Sequence, residues 1–299
     1  MTFAAEVKNE LCQPRVERKC CALAEAYGIL LYCRSFSPQE IRIITSSEAF
    51  SKRLPHLFKK AFGIKFDRVP EESAEGKRSF VITDSEKIRS IYDAFGCDVS
   101  TLSLHINLGI LEEPCDRAAF LRGAFLAGGS INDPEKGYHF ELATAHYSVS
   151  REAVSVLREM GFEPKESTRR GNQLLYFKKA EAIADLLTTI GAPVTSMQVT
   201  AAKIEKEMTN EIMRKVNCDS ANADKTVIAA AQQMEAIRRI ERDYGLDVLP
   251  EPLQQAALLR IANPEVSLSD LALLSYPPVT KSCLSHRLRK IMEFKPEDK

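Results

Sequence analysis

The stretch Phe120-Leu-Arg-Gly-Ala-Phe-Leu-Ala-Gly-Gly-Ser-Ile-Asn-Asp-Pro134 decides how this chain is read. An apolar run dotted with small residues ends in Gly128-Gly129-Ser130. A gapless partner lies earlier: Gly28-Ile-Leu-Leu-Tyr-Cys-Arg-Ser-Phe36 aligns on Gly123-Ala-Phe-Leu-Ala-Gly-Gly-Ser-Ile131, an offset of 95 residues. Ala24, Gly28 and Tyr32 thereby match Ala119, Gly123 and Ala127. Small residues four apart share one helical face and allow two backbones to approach closely. The pattern predicts two helices packed on each other across a pseudo-twofold axis. Taken alone, Gly123 and Gly128-Gly129 also read as a weak helix and its C-cap; two copies in matched context favour the interface.

The flanking sequence repeats with the same punctuation. Phe3 to Leu11 and residues 20–33 read as helices. Ile41–Thr45 looks like a strand. Phe50, Leu54, Leu57, Phe58 and Ala61 mark a helix stopped by Gly63. Ile64–Phe66 and Phe80–Thr83 suit strands around the polar stretch 71–78. Ile88, Ile91 and Phe95 mark a helix closed by Gly96. In the second copy, residues 117–128 are helical and Phe140–Thr144 alternates like a strand. Val154, Leu157 and Met160 mark a helix ended by Gly161. Phe162–Lys165 and Leu174–Lys178 suit strands around the turn Arg169-Arg-Gly-Asn172, and Ile183, Leu186, Leu187 and Ile190 mark a helix stopped by Gly191. The reading is a duplicated α-β-α-β-β-α unit whose halves must pack together to cover their sheet faces. Each sheet is expected to curve to one side, giving a saddle.

These paired stretches resemble the LAGLIDADG motif of homing endonucleases, a helix that packs against a second copy of itself. In those enzymes each motif helix ends in an Asp or Glu that binds the catalytic metal. Here Cys33 and Gly128 fall at those places. Divalent magnesium is a hard ion that needs oxygen ligands, and two-metal phosphodiester cleavage needs carboxylates to hold it. Asp133 lies five residues past Gly128, beside Pro134, and reads as a turn residue. No catalytic residue, metal ligand or cofactor is expected.

Strand signals are absent after about residue 200. A linker and connecting helix are expected over 192–216. Asn217-Cys-Asp-Ser-Ala-Asn222 has turn and cap chemistry. Val227, Ala230, Met234, Ile237 and Ile240 give an amphipathic helix ending near Tyr244-Gly245. Pro250 and Pro252 start another, carrying Leu253, Ala257, Leu258 and Ile261. Ser267-Leu-Ser-Asp270 resembles a capping box with Asp for the usual Glu. Tyr276-Pro-Pro-Val279 is a short break, and Thr280 caps a last helix from Lys281 to about Met292. Two helices across a tight turn fit a helix-turn-helix.

In the last helix Leu284, Leu288 and Ile291 face inward, leaving Ser282, Ser285, His286 and Arg289 outward. Lys281, Arg287 and Lys290 lie on the flanks or nearer the ends. These seven residues are the candidate DNA contacts. Lys281, Arg287, Arg289, Lys290 and Lys295 against Glu293 give this segment a formal charge of +4. Such a local basic helix is the expected footprint of a nucleic-acid reader. The plain alternative is an amphipathic terminal helix with a solvated basic face.

Composition fits this division. The chain has 299 residues, enough for about two domains, and a net charge of zero, so any DNA-binding patch must be local. No apolar run approaches the ~18 residues of a membrane span. Met1–Glu10 carries no secretory apolar region, so a cytoplasmic, nucleoid-associated location is expected. None of the eight cysteines forms a Cys-x-x-Cys pair, and their spacing suits no zinc motif. They read most simply as small buried hydrophobes.

The whole chain resembles the WhiA family of bacterial sporulation and cell-division transcription regulators. The resemblance rests on Phe3-Ala-Ala-Glu-Val-Lys-Asn-Glu-Leu11, Phe120–Ser130, Asn217–Asn222 and Lys281-Ser-Cys-Leu-Ser-His-Arg-Leu-Arg-Lys290. It implies an α+β fold: a degenerate LAGLIDADG homing-endonuclease-like domain over residues 1–191, then the connector 192–216, then an all-α domain over 217–299. The helix-turn-helix at 267–293 would be similar to region four of sigma factors and act as the main promoter reader. The implied partners are double-stranded promoter DNA and RNA polymerase or another regulator; the implied biology is cell division, sporulation and chromosome segregation. Edge bases of the saddle, Arg169, Arg170, Lys178 and Lys179, are usable for phosphates, although a solvated surface is the simpler role. The rival readings are a homing endonuclease or RNA maturase with relocated metal ligands, and a protein-interaction scaffold.

Overall fold

The computed structural model describes residues 2–71, 76–97 and 103–294. It falls into two compact units, Met1–Lys206 and Glu207–Lys299. The first unit opens with α1 (Phe3–Leu11), α2 (Lys19–Tyr32), β1 (Ser35–Phe36), β2 (Ile41–Thr45), α3 (Glu48–Phe62), β3 (Arg78–Ile82) and α4 (Ser85–Ala94). After a 3-10 turn at Leu108–Ile110 the order recurs as α5 (Pro114–Gly128), β4 (Gly129–Ile131), β5 (Phe140–Thr144), α6 (Tyr147–Glu159), β6 (Lys165–Arg169), β7 (Asn172–Phe177) and α7 (Ala180–Ile190). Both sheets are antiparallel, ordered β1-β2-β3 and β4-β5-β7-β6. The expected α+β duplication is present, with a short extra strand after each motif helix.

The punctuation follows the glycines. Gly63, Gly96, Gly161 and Gly191 end α3, α4, α6 and α7 with φ of 75°, 64°, 85° and 104°, the left-handed region where a Cβ is penalised. Gly128-Gly129 behave differently. Gly129 is extended (φ −89°, ψ 148°) and leads straight into β4, so this pair is no left-handed cap. Equivalent threonines close the central strands: Thr45 Oγ1 accepts from the Ser47 N–H and Thr144 Oγ1 from the His146 N–H.

Two strands expected from the sequence lie elsewhere. Residues 64–66 are not a strand; the chain there makes an isolated bridge, Arg68 to Val81. Part of the polar stretch 71–78, residues 72–75, lies outside the described residues. In the second copy the hairpin begins at Lys165 rather than Phe162, which packs into the core ahead of the strand. β6 is exposed along its whole length, so it carries no apolar alternation to find. Its register comes from the turn, where Arg170 and Gly171 both take positive φ (52° and 81°).

The centre of the unit is α2 against α5. A Cβ added to Gly28 would lie 2.0 Å from the Phe120 carbonyl oxygen, and one added to Gly123 would lie 2.0 Å from the Glu25 carbonyl oxygen. Gly28 and Gly123, like Glu25 and Phe120, are related by the same offset, so the two helices meet reciprocally, backbone to backbone. α2 also touches β5 of the other half, and α5 touches β2. Beside the crossing, Glu25 is fully buried. Arg53 of α3 donates to both its oxygens (Nε 2.5 Å, Nη2 2.8 Å), and Arg122 Nη1 of α5 adds a third bond at 3.3 Å. The remaining donors of Arg53 reach the Cys12 and Pro14 carbonyls, and Arg122 Nε reaches the Ile190 carbonyl.

The helix α8 (Pro193–Tyr244) has 52 residues and starts where the Glu10 carboxylate of α1 accepts from the Val194 and Thr195 N–H groups. It runs unbroken through Asn217–Asn222, where a turn was expected. Those side chains are exposed, and their weak helix propensity costs a few tenths of a kcal/mol each. A continuous hydrogen-bond ladder outweighs that cost. A second 3-10 turn (Leu246–Val248), α9 (Glu251–Ala262), α10 (Leu268–Leu273) and α11 (Lys281–Met292) complete the second unit. Its core joins Ile237 and Ile240 of α8 to Leu249, Ala256, Ala257, Leu271, Ala272, Leu284, Leu288 and Ile291. Val227 and Leu258, expected on buried faces, are 66% and 52% exposed. Gln233 and Arg260 take buried positions on those helices instead.

Candidate nucleic-acid interface

The helix-turn-helix is assembled from local chemistry. Ser267 caps α10: its Oγ accepts from the Asp270 N–H and donates to Asp270 Oδ2 at 2.7 Å. The serine caps the helix as expected, but the short Asp270 side chain holds the serine hydroxyl rather than the N-cap backbone N–H that a capping box would satisfy. The turn is held by Ser275, whose Oγ contacts the Ala272 and Pro277 carbonyls (2.9 and 3.0 Å) and accepts from the Val279 N–H at 3.1 Å. Thr280 Oγ1 then accepts from the Cys283 N–H and starts α11.

Arg260 was not singled out from the sequence. It is 1% exposed, and its Nη1 donates to the Asn263 and Val266 carbonyls at 3.3 and 2.7 Å. Burial pulls its pKa below the usual guanidinium value. It pins the loop between α9 and α10 and so fixes how α10 enters. The available signal was its position: Arg260 lies three and four residues after Ala257 and Ala256, on their buried face.

On α11, Leu284, Leu288 and Ile291 are buried, as the spacing predicts. Lys281, Ser282, Ser285, His286, Arg289 and Lys290 are exposed. Arg287 departs from this set: it is half-buried and lines a cleft with Gln255, Leu259, Tyr276 and Pro277. The helix contains no carboxylate. Lys295, counted in the basic charge of the sequence, lies outside the described residues. Tyr276, 96% exposed, sits in the turn just before the helix.

In the first unit, the positions where homing endonucleases carry metal ligands are occupied otherwise. Cys33 is half-buried, and its thiol faces the Leu30 and Ser35 carbonyls at 3.2 Å each. Burial pushes its pKa up to about 12, which keeps it neutral. A Cβ at Gly128 would lie 2.5 Å from the Ala143 carbonyl oxygen and 3.2 Å from the Tyr32 side chain, so no side chain fits there. Asp133 is a turn residue: its Oδ1 accepts from the Glu135 N–H at 2.9 Å. Of the basic residues singled out for phosphate contact in this unit, Arg169 is engaged with Glu141 at 3.1 Å, and Lys178 lies 5.5 Å from the Tyr176 ring centroid. Glu141 also meets Ser130 and His139, so a carboxylate occupies the middle of this sheet face. Lys178 and Lys179 are exposed.

The cysteines are less buried than the sequence led us to expect, although Cys12, Cys21, Cys33 and Cys97 pack against the core. Cys20 and Cys218 are exposed and the other six are half-buried.

Comparison with known proteins places this architecture. Residues 117–209 match the model of the WhiA LAGLIDADG-like domain, and residues 212–295 match the WhiA C-terminal HTH domain. A protein of Ruminiclostridium cellulolyticum named "Probable cell division protein WhiA" is 36% identical over 304 residues, covering 98% of this chain and 97% of the relative. The chain belongs to the WhiA family. A Clostridium perfringens WhiA with the same name is 34% identical over 310 residues, with 99% and 98% covered. The crystal structure of full-length WhiA from Thermatoga maritima matches with a TM-score of 0.62 at 25% identity, over 98% of this chain and 97% of that one. The N-terminal LAGLIDADG domain of a WhiA matches in fold with a TM-score of 0.51 at 22% identity, over 64% of this chain and 92% of that one. Among the described residues no helix is long and apolar enough to cross a membrane.

Proposed function

We propose that this WhiA-family chain is a sequence-specific DNA-binding transcription regulator without nuclease activity. It reads promoter duplex through α11 and acts in cell division, sporulation and chromosome segregation at the nucleoid. RNA polymerase or another regulator is its protein partner. The observation that carries the reading is α11 itself. It is a capped helix without a carboxylate, seated on an apolar core, with Ser282, Ser285, His286 and Arg289 turned outward between Lys281 and Lys290. Arg289 and His286 suit base edges, whereas Lys281 and Lys290 suit phosphates. Arg287 is half-buried and lines the cleft beside the turn, so it offers less of its side chain to DNA than Arg289 does. Closure of the space at Gly128 and the neutral thiol of Cys33 support the absence of cleavage. Selection from a random duplex pool tests the proposal. The expected result is a defined site whose affinity falls with salt by a log–log slope of about −2 or steeper, left uncut in magnesium or manganese. Failure to enrich any sequence, or cleavage of the enriched one, would contradict it.

A further inference from the structure

The pseudo-twofold offset brings together a second constellation at the other end of the paired helices. Cys20 and Cys21 stand in the first turn of α2, and Cys115 and Asp116 in the first turn of α5. The offset that relates Gly28 to Gly123 also relates Cys20 to Cys115 and Cys21 to Asp116. Their three sulfurs and a carboxylate oxygen all lie within 4.8 Å of one another. Residues 20 and 33 are separated by most of α2, roughly 20 Å at 1.5 Å per residue. The cluster is therefore remote from the positions where homing endonucleases bind metal.

Within each helix the spacing suits a tetrahedral ion, and across the two helices the atoms, all within 4.8 Å, close on it with side-chain shifts of at most about 1 Å. With zinc–sulfur bonds of about 2.3 Å and zinc–oxygen bonds of about 2.0–2.2 Å, tetrahedral angles require about 3.8 Å between sulfurs and about 3.6 Å between sulfur and oxygen. The Cys20 and Cys21 sulfurs are 3.9 Å apart, and Cys115 Sγ is 3.6 Å from Asp116 Oδ1. Asp116 supplies an independent observation. The residue is 4% exposed, and among the described residues its side-chain partners are thiols rather than a cation. A buried carboxylate is costly unless a positive charge meets it. The donor set decides the class of ion. Three thiolates disfavour magnesium and calcium and suit zinc, which a closed set of four protein ligands binds structurally. The negative charge left on such a centre is offset by the N-terminal ends of two helices.

We propose that Cys20, Cys21, Cys115 and Asp116 form a structural zinc site that ties the two halves together at the N-terminal ends of α2 and α5. Binding is ligand exchange at zinc(II): three thiols release their protons to solvent, and no electron moves. The site was hidden from motif reading because its ligands come in adjacent pairs from two helices 95 residues apart, rather than from one Cys-x-x-Cys loop.

The test uses the full chain, purified without a metal-binding tag, saturated with zinc and desalted. Elemental analysis should give one zinc per chain. Cobalt(II) in its place should show an intense thiolate charge-transfer band and the strong d–d bands of tetrahedral cobalt. Cys20→Ser and Cys115→Ser should each weaken the charge-transfer band and drop zinc below stoichiometric. Cys218→Ser, which changes another exposed thiol, should leave both readouts intact. Circular dichroism confirms that each variant is folded, and the wild-type cobalt spectrum stands whatever the variants do. Zinc below one-tenth of stoichiometric, a weak octahedral cobalt spectrum, or full zinc retention in a folded Cys20→Ser/Cys115→Ser double variant would overturn the assignment. So would a Cys21–Cys115 disulfide in protein kept under reducing conditions.

Discussion

Replacing Gly28 or Gly123 by alanine tests the helix pair at its closest point. Each new Cβ would sit 2.0 Å from a backbone carbonyl oxygen of the facing helix. Ordinary contact begins at 3.4 Å, so the helices must part by about 1.4 Å. No rotamer change can relieve a backbone clash. A gap of 0.5–1 Å already forfeits a quarter to a half of each dispersion contact, and the faces carrying Ala24, Tyr27, Phe120 and Ala124 lose contact together. Overpacking costs about 1–3 kcal/mol and occasionally more; a backbone clash belongs at or above the top of that range. Alanine returns about 1 kcal/mol through helix propensity. The net expectation is destabilisation by roughly 2 kcal/mol or more, a shift of about 1 M in urea midpoint for a slope near 2 kcal/mol/M. The chain has no tryptophan, so far-ultraviolet circular dichroism of the full chain is the readout. Gly161→Ala is the control: it has φ of 85° and open space around it, so it should cost only the ~1 kcal/mol of backbone strain. A glycine that merely weakened its helix would give the opposite sign. If Gly28→Ala and Gly123→Ala both stabilise the protein, the interface is wrong.

Further expectations concern charge. Glu25→Gln leaves the buried Arg53 and the half-buried Arg122 without a counter-charge, and breaking a buried pair costs about 3–5 kcal/mol; the urea midpoint should fall by more than in Glu48→Gln, whose partner Lys52 is exposed. For Asp67, burial acts against ionisation, but hydrogen bonds from Lys87 and from the Asp84 and Thr83 N–H groups win and hold its pKa at about 2, below the ordinary 3.8. A depressed carboxylate contributes stability above its unfolded pKa and loses it as pH falls through the folded one. The β3–α4 corner should therefore loosen between about pH 4 and pH 2, with the Asp67 carboxyl resonance titrating near 2; titration near 4 would refute the geometry. Thr280→Ala should cost about 1 kcal/mol in the second unit through loss of the α11 cap, and an unchanged melting curve would count against that cap.

Much of the fold was legible because duplication doubled each weak signal. Gly63 and Gly161, or Gly96 and Gly191, are unremarkable singly, but in matched context each fixes a helix end. The motif glycines could be read for the same reason, as close-approach residues on facing helices. The hairpins were less legible. β6 is exposed throughout, so the apolar Phe162 pulled the expected strand toward itself. Asn217–Asn222 looked like a break because cap chemistry is local, whereas helix continuation is cooperative. On α11, the buried spacing revealed the outward face, but Arg287 sits at the edge between faces, where spacing alone does not decide. Arg260 and the Cys20–Asp116 cluster escaped for a common reason. Their roles depend on which distant backbone or side chain they meet, not on their neighbours in sequence.

The central claim is that the outward face of α11 reads sequence. Its most direct test is the affinity of Arg289→Ala for the selected duplex and for random duplex at fixed salt, beside Lys290→Ala. Arg289→Ala should lose about 1–3 kcal/mol on the selected site and much less on random DNA, while Lys290→Ala should weaken both by a similar factor and reduce the salt slope by about one. Equal loss on both duplexes for Arg289→Ala, or no loss from either substitution, would contradict the account.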